Sequence, residues 1–385
     1  MKPIPYGHQC ITDEDIRVVV ETLKSDYLTQ GPKITEFEAK FSNYCNAKYC
    51  SIVSNGTAAL HLCALALDVR PGDRIITTPI TFVASANGFK YCGAEIYFCD
   101  IDKKTYILDL DKLEEKLSQK PKGYYKGVVV VDFAGYPVNM EKLRTIADKF
   151  GLWIVEDACH SPGGYFIDSN SDKQICGNGK YSDLTVFSFH PVKHIATGEG
   201  GAITTNNLEL HKKIQLYRTH GITKDSEFLN ENHGLWYYEM IELGFNYRIT
   251  DFQAALGISQ LSRADEGIIR RNEIAKKYND AFSKIDKIKT PFVEDNVFHA
   301  YHLYVIQVED RLGIYNYLRS QNIFAQVHYV PVHLMPYYKQ FGWKEGDLPI
   351  AEDYYKHCLS LPMYPTLTDE EQEFVIKTIK DYILN

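Results

Sequence analysis

What is missing from this chain narrows it first. Its nine cysteines are an odd number and include no Cys-x-x-Cys pair, which argues against a disulfide framework or a zinc site and for a reduced thiol pool. No apolar run approaches the roughly 18 residues of a membrane span, and Met1-Lys-Pro-Ile-Pro-Tyr6 lacks the apolar core of a secretory leader. Positive charge is not in excess: 42 Lys and Arg stand against 50 Asp and Glu, a net charge of −8, so no polyanion-binding surface is expected. Internal repeats and low-complexity tracts are absent, as is any Gly-x-x-x-x-Gly-Lys-[Ser/Thr] loop for a nucleoside triphosphate. The expectation is a cytoplasmic protein with neither nucleic acid nor membrane as partner. Its 385 residues, 45% hydrophobic and 24% charged, suffice for about two domains and a large core.

What is present is an alternation of short apolar runs and helical patterns. Thr12-Asp-Glu-Asp15 reads as a capping box opening a helix with Ile16, Val19, Val20 and Leu23 on one face. Strand-like runs follow at 50–54, 74–78, 95–99, 127–132, 152–156 and 184–189, with helical patterns between them. Gly127-Val-Val-Val-Val-Asp132 is apolar throughout, as expected of a strand covered on both faces. The βαβα order to about residue 205 implies a mainly parallel sheet with helices on both sides. In such sheets ligands lie outside the carboxyl ends of the strands. A charged helical stretch over 248–285 connects to a smaller α+β unit: strands at 302–307 and 324–328, a helix at 311–320, and a last helix opened by Thr368-Asp-Glu-Glu371. The polar stretch Asp168 to Lys180 reads as a surface excursion. The division expected is a large domain over 1–255, its N-terminal segment contributing to the substrate site, and a small one over 256–385.

Lys193 stands at the centre. It follows the run Leu184 to Phe189, in a Pro-marked loop that ends in Gly198-Glu-Gly-Gly201. A lone loop lysine is most often a solvated charge. Lys193 as the attachment point of pyridoxal phosphate makes three further demands: an anion site, an acid for the pyridine nitrogen and a flat group against the ring. Ser54-Asn-Gly-Thr57 at a helix start meets the first, with Gly56 allowing close approach and Ser188 offering a hydroxyl. Glu156-Asp157 at a strand end meets the second; alternation gives the two carboxylates opposite faces, and Asp157 is preferred. Phe82, after Thr77-Thr-Pro-Ile-Thr81, meets the third, against the bland alternative of a core phenylalanine. A metal centre on His190, His194 and Asp157 is rejected, because His190-Pro-Val-Lys-His194 is a proline-containing loop and not a helix face. No metal is expected.

These motifs, with Leu28-Thr-Gln-Gly31, Asn55-Gly-Thr-Ala-Ala-Leu60, Glu156-Asp-Ala-Cys-His160, Phe187-Ser-Phe-His-Pro-Val-Lys193 and Leu243-Gly-Phe-Asn-Tyr-Arg248, resemble the DegT/DnrJ/EryC1/StrS family of pyridoxal-phosphate-dependent sugar aminotransferases. The likeness spans nearly the whole chain. Within the family it is greatest to the branch that serves pseudaminic acid biosynthesis, carried by Pro5-Tyr6, Tyr27-Leu-Thr-Gln30 and Gln326-Val-His-Tyr329. The resemblance implies fold type I, the aspartate aminotransferase kind, with a large domain on a mainly parallel sheet and a small α+β domain. It implies Lys193 as the Schiff-base lysine and Asp157 as partner of the pyridine nitrogen. Gly56, Thr57 and Ser188 would bind the phosphate, with Phe82 and His160 near the ring. Asn246 would reach the phosphate of a neighbouring subunit, hence a homodimer with shared active sites. Tyr6, Asp26, Tyr27, Leu28, Thr29, His328, Tyr329, Val330 and Pro331 would meet a UDP-sugar, with glutamate as amino donor. His194-Ile-Ala-Thr197 departs from the Pro-Ile-Thr-Thr of that branch, which points to a different floor of the sugar pocket. Dehydratase relatives carry histidine where Lys193 stands, so transamination is expected over deoxygenation. The rival readings are a transaminase for another keto nucleotide sugar and a non-catalytic sensor. The chain has no basic region or added domain to serve as a sensor's output.

Overall fold

The structure, a computed structural model, describes residues 2–384. The helix expected at the capping box is α1 (Asp13–Leu23), where Thr12 and Asp15 exchange side-chain-to-backbone bonds. Its apolar stripe faces away from the chain: Ile16 is 55% and Leu23 52% exposed. The inward face carries Asp15 and Thr22. Buried Asp15 takes hydrogen bonds from Gln260 and an ion pair from Arg263, which ties α1 to the helix Asp251–Leu261. In α2 (Pro32–Cys45) the expected residues Ile34, Phe37 and Phe41 are buried.

Seven strands make the central sheet: β1 (Tyr49–Val53), β2 (Arg74–Thr77), β3 (Glu95–Phe98), β4 (Gly127–Val131), β5 (Trp153–Asp157), β6 (Leu184–Ser188) and β7 (Gly201–Thr205). Their spatial order is β1-β7-β6-β5-β4-β2-β3. Pairs from β6 across to β3 are parallel, and β7 runs antiparallel to both β6 and β1. The mainly parallel sheet read from the βαβα order is therefore present, and all five residues of β4 are buried, as its unbroken apolar run requires. Two helices position the site: α3 (Gly56–Ala66), buried over most of its length, and α4 (Ala84–Lys90). Each begins beyond the carboxyl end of a strand.

The stretch 168–180 is exposed over 169–173 and at Lys180, as its polarity led one to expect, but it is anchored to the fold. It holds the strand Lys173–Ile175, paired with Tyr165–Ile167, which in turn pairs with Val297–Phe298. Asp168 is 7% exposed and accepts bonds from Gln174 (2.7 Å), Lys180 (2.8 Å) and Tyr181 (2.9 Å). These bonds let Asp168 and Gln174 be buried beneath an exposed Lys180.

The C-terminal part joins the strands Tyr304–Gln307 and Cys358–Leu361 antiparallel, beside the helices Arg311–Ser320 and Asp369–Leu384. Reciprocal bonds between Thr368 and Glu371 open the last helix as read from the sequence. The strand expected over 324–328 is broken up: Ile323–Phe324 pairs in parallel with Ile4–Pro5, and Gln326 makes a single antiparallel bridge to Ser360. Ile4, 1% exposed, lies in the same hydrophobic cluster as Leu318, Ile323 and Ile379.

Candidate active site

A cavity of about 760 Å³ opens at the carboxyl ends of β4, β5 and β6. At one side β1 hands over to α3. Asn55 caps that helix, its side chain accepting the Ala58 N–H at 2.8 Å and its carbonyl the Ala59 N–H at 3.1 Å. The N–H groups of Gly56 and Thr57 are left without an intrahelical acceptor, and both residues line the cavity. Unpaired N–H groups at the positive end of a helix dipole form an anion site. Two glycines permit the arrangement. A Cβ on Gly56 would lie 3.1 Å from the Ser188 Cβ, and one on Gly201 only 2.7 Å from the Asn55 carbonyl carbon. Ser188, paired with Gly201 across β6 and β7, is thereby held against the same helix start.

Asp157 ends β5 on the cavity side and is 5% exposed. Its Oδ2 accepts the Ser85 hydroxyl at 2.6 Å and its Oδ1 the Cys159 N–H at 3.2 Å. Ser85 is itself 2.7 Å from the Thr81 hydroxyl, so the first turn of α4 orients the carboxylate. The adjacent Glu156 points through the sheet to the opposite face, as strand alternation requires. There its carboxyl meets Asp132 and Cys176, with ligand atoms within 4.8 Å of one another. Burial and the neighbouring Asp132 push Glu156 up to about 8.

Lys193 sits in a turn closed by its own N–H to the His190 carbonyl (2.8 Å), between Phe189 and Thr197, which are also bonded to each other. No hydrogen bond or salt bridge holds its Nζ among the described residues. Burial lowers its pKa, with Cys159 and Asp157 acting in the opposite sense. Phe82 is 58% exposed at the cavity mouth, so the bland reading of a core phenylalanine is wrong.

His160 lies deeper, 4% exposed. Its Nδ1 accepts the Ala134 N–H at 3.2 Å, and its Nε2 is 3.3 Å from the Tyr329 hydroxyl. Burial first, then the charge of Lys193, hold the imidazole well below its usual pKa. Tyr6 and His328 close the far wall with rings 5.0 Å apart. Burial and Lys193 take His328 down to about 3. The Tyr6 backbone is fixed by the Met363 N–H at 2.9 Å.

Ten of the residues singled out from the sequence thus share one cavity: Tyr6, Gly56, Thr57, Phe82, Asp157, His160, Ser188, Lys193, His328 and Tyr329. Others do not line it within one chain. Asp26, Tyr27, Leu28 and Thr29 lie exposed after α1, and Asn246 is exposed on a bridge to Thr219. Val330 is exposed and Pro331 buried beyond the wall. His194, expected to alter the pocket floor, turns away from the cavity: its Nε2 donates to the Ala300 carbonyl at 2.9 Å. Sequence reasoning passed over Ser85, Cys159 and Tyr247, which also line the cavity. The signal for Ser85 was its place four residues after Thr81 at a helix start, one turn on the same face. Cys159 and Tyr247 carried no such mark.

Among the described residues, no helix is long and apolar enough to cross a membrane. The model of the DegT/DnrJ/EryC1/StrS aminotransferase family matches residues 9–380. The spore coat polysaccharide biosynthesis protein SpsC of Bacillus subtilis is 40% identical over 99% of this chain and 97% of its own length. A UDP-4-amino-4,6-dideoxy-N-acetyl-beta-L-altrosamine transaminase of Campylobacter jejuni is 36% identical over 98% of this chain and 96% of its own. Among solved structures, Spr1654 of Streptococcus pneumoniae in its PLP form superposes with a TM-score of 0.89 at 29% identity, covering 98% of both chains; its PMP form does so at 30%.

Proposed function

The chain belongs to the DegT/DnrJ/EryC1/StrS aminotransferase family, whose fold is type I and whose cofactor is pyridoxal phosphate, and from that premise we propose that it aminates the 4-keto group of a UDP-linked 4-keto-6-deoxy-N-acetylhexosamine, with glutamate as donor, in a pathway of the pseudaminic acid kind. The observation that carries the reading is the convergence of Lys193, Asp157 and the start of α3 on one cavity from separate strand ends.

The residues suit the cofactor: unpaired N–H groups at a helix start for its phosphate, a braced carboxylate for its ring nitrogen and an unpaired lysine amine. Bound pyridoxal phosphate supplies a carbonyl group that takes up amines and a ring that draws electrons from a carbon losing its proton. In this reading the Gly56 and Thr57 N–H groups and the Ser188 hydroxyl hold the phosphate. Asp157, oriented by Ser85 and the Cys159 N–H, keeps the ring nitrogen protonated. Lys193 is the point of attachment. Once displaced, its amine, made less basic by burial, carries the proton off the donor's α-carbon. Phe82 and His160 flank the ring. Tyr6, with His328 to Pro331, meets the sugar nucleotide, joined by Asp26 to Thr29.

The last contacts, and Asn246 on the phosphate, require a second copy of the chain. Support for a homodimer with shared sites comes from large apolar side chains left in solvent: Leu235 is fully exposed, Trp236 74% and Leu243 76%, beside the bare stripe of α1. For the organisation of the chain we keep a large unit over 1–255 and a small one over 256–385. That boundary falls inside the helix Asp251–Leu261, and Ile4–Pro5 crosses it.

The test is the visible spectrum of the purified protein before and after glutamate. A cofactor band that glutamate shifts, and that a keto sugar nucleotide restores, supports the reading. A band that glutamate leaves untouched overturns the choice of donor, and no band after supply of pyridoxal phosphate overturns the role of Lys193. A second reading, the same chemistry on another keto nucleotide sugar, is favoured by the higher identity to the spore coat protein, 40% against 36%. Which of a panel of UDP-, GDP- and dTDP-linked keto sugars restores the band decides between the two.

A further inference from the structure

The hydrogen bonds of His160 fix more than the place of its ring. The Ala134 N–H points at Nδ1, so that nitrogen presents a lone pair and cannot carry a proton. A cationic ring, with protons on both nitrogens, is excluded by the same bond. The ring is therefore neutral with its proton on Nε2, in keeping with burial and the nearby Lys193, which oppose its charging. The Nε2–H then has one partner, the Tyr329 oxygen at 3.3 Å. Since Tyr329 accepts that bond, its own O–H points elsewhere. Among the described residues no other group accepts it, and the side that is open is the cavity. The Tyr329 ring is wedged between Phe82, Phe133 and His160, with centroids 6.2–6.4 Å apart, which settles where the hydroxyl sits.

We propose that Tyr329 is a fixed hydrogen-bond donor to the ketone oxygen of the substrate in the cavity, and that His160 is the positioning residue that sets this polarity through its tautomer. The proposal rests on the transamination reading, in which both the keto acid and the keto sugar present such an oxygen. A donor there polarises the carbonyl toward attack by an amine and follows the oxygen as charge builds on it. An acceptor in the same place would repel it. Burial keeps the phenol protonated, so the donor is not lost by ionisation.

Two measurements test it. The first needs no turnover: nitrogen-15 NMR of histidine-labelled, cofactor-free protein, with the resonance assigned by its loss in His160→Gln. A neutral ring protonated on Nε2 is expected; an Nδ1–H tautomer or a cation at pH 7 overturns the proposal. The second compares variants in single turnover of the amine-loaded enzyme with 2-oxoglutarate. Tyr329→Phe should lower the rate constant at saturation about 10²-fold, with the half-saturating concentration changed less than about threefold. His160→Gln, whose amide can accept from Ala134 and donate to Tyr329, should retain at least about tenfold more of the rate than His160→Leu. His160→Leu should lose as much as Tyr329→Phe, and the double variant no more than either alone. A Tyr329→Phe rate within about threefold of the parent overturns the donor role. Equal losses in His160→Gln and His160→Leu overturn the tautomer's part. A parent protein whose cofactor band glutamate leaves unchanged overturns the functional reading instead, with the tautomer still decided by NMR.

Discussion

Glu156 and Asp157 are neighbours in one strand and carry the same carboxyl group, yet the two faces of β5 use them in opposite ways. Asp157 looks into a cavity where Ser85, a backbone N–H and a lysine surround it. That setting gives the carboxyl group a direction. Glu156 looks into a sealed layer with Asp132 and a thiol, where the Thr185 hydroxyl is its nearest donor at 2.8 Å and no cation lies in reach among the described residues. Two carboxyls that close, in a site closed to water, cannot both ionise. That setting holds a proton. The pleat decides which face each residue sees, and the elements packed on that face decide its chemistry.

Ways to break this contrast can be ranked by size. Lys193→Ala removes the cation and the attachment point from the Asp157 side, and turnover should fall at least about 10³-fold; measurable multiple turnover in steady state would contradict it. Next come the isosteric pair. Asp157→Asn should cost about 10²–10³-fold in kcat/KM, while Glu156→Gln, which replaces a group already protonated, should stay within about threefold. Equal losses would abolish the distinction between the faces. The third is a pH effect. Glu156 titrates near 8 in the fold against an ordinary value of 4.5, so between these pH values the folded chain holds a proton that the unfolded chain has lost. Stability should therefore fall as pH rises across that window, by at most about 1.4 kcal/mol per pH unit. Urea midpoints at pH 5.5 and 8 should show a smaller fall in Glu156→Gln than in the parent. Smallest is the removal of one hydroxyl from each side. Ser85→Ala should weaken cofactor retention by about tenfold in dialysis against a carbonyl-reactive amine, one charged hydrogen bond's worth. Thr185→Val should lower stability by about 1 kcal/mol and leave the cofactor in place.

The sequence displayed the parts of the fold that rest on local chemistry. Apolar runs and caps marked β1 to β6 and the helices between them, and strand alternation separated Asp157 from Glu156. It hid what depends on distant partners. The 168–180 stretch reads as solvated, and 169–173 are; what stayed hidden is that Asp168, meeting Lys180, Tyr181 and Gln174, goes inward together with Gln174. The stripe of α1 reads as a core face, but the residue that goes inward is Asp15, matched to Arg263 from nearly 250 residues away. At the site, Lys193 and the start of α3 announce themselves by loop and turn chemistry. Ser85 and Ala134 act only through the groups they hold, and Asp26 to Thr29 and Asn246 lie outside the cavity of a single chain.

The short parallel pairing of Ile4–Pro5 with Ile323–Phe324, with the Tyr6 carbonyl bonded to Met363, has a consequence in time. One wall of the cavity is knitted from Ile4 to Tyr6 and from Ile323, Phe324 and Met363, segments far apart along the chain. While the chain is being synthesised, the central sheet can form and α3 can present its N–H groups, but Ile4–Pro5 and the Tyr6 ring have no partner until residues 323–328 have left the ribosome, and the Tyr6 carbonyl none until residue 363. Lasting capture of a ligand is thus deferred until residue 363 is in place, and a nascent chain stalled before Ile323 should hold the central sheet without holding the cofactor.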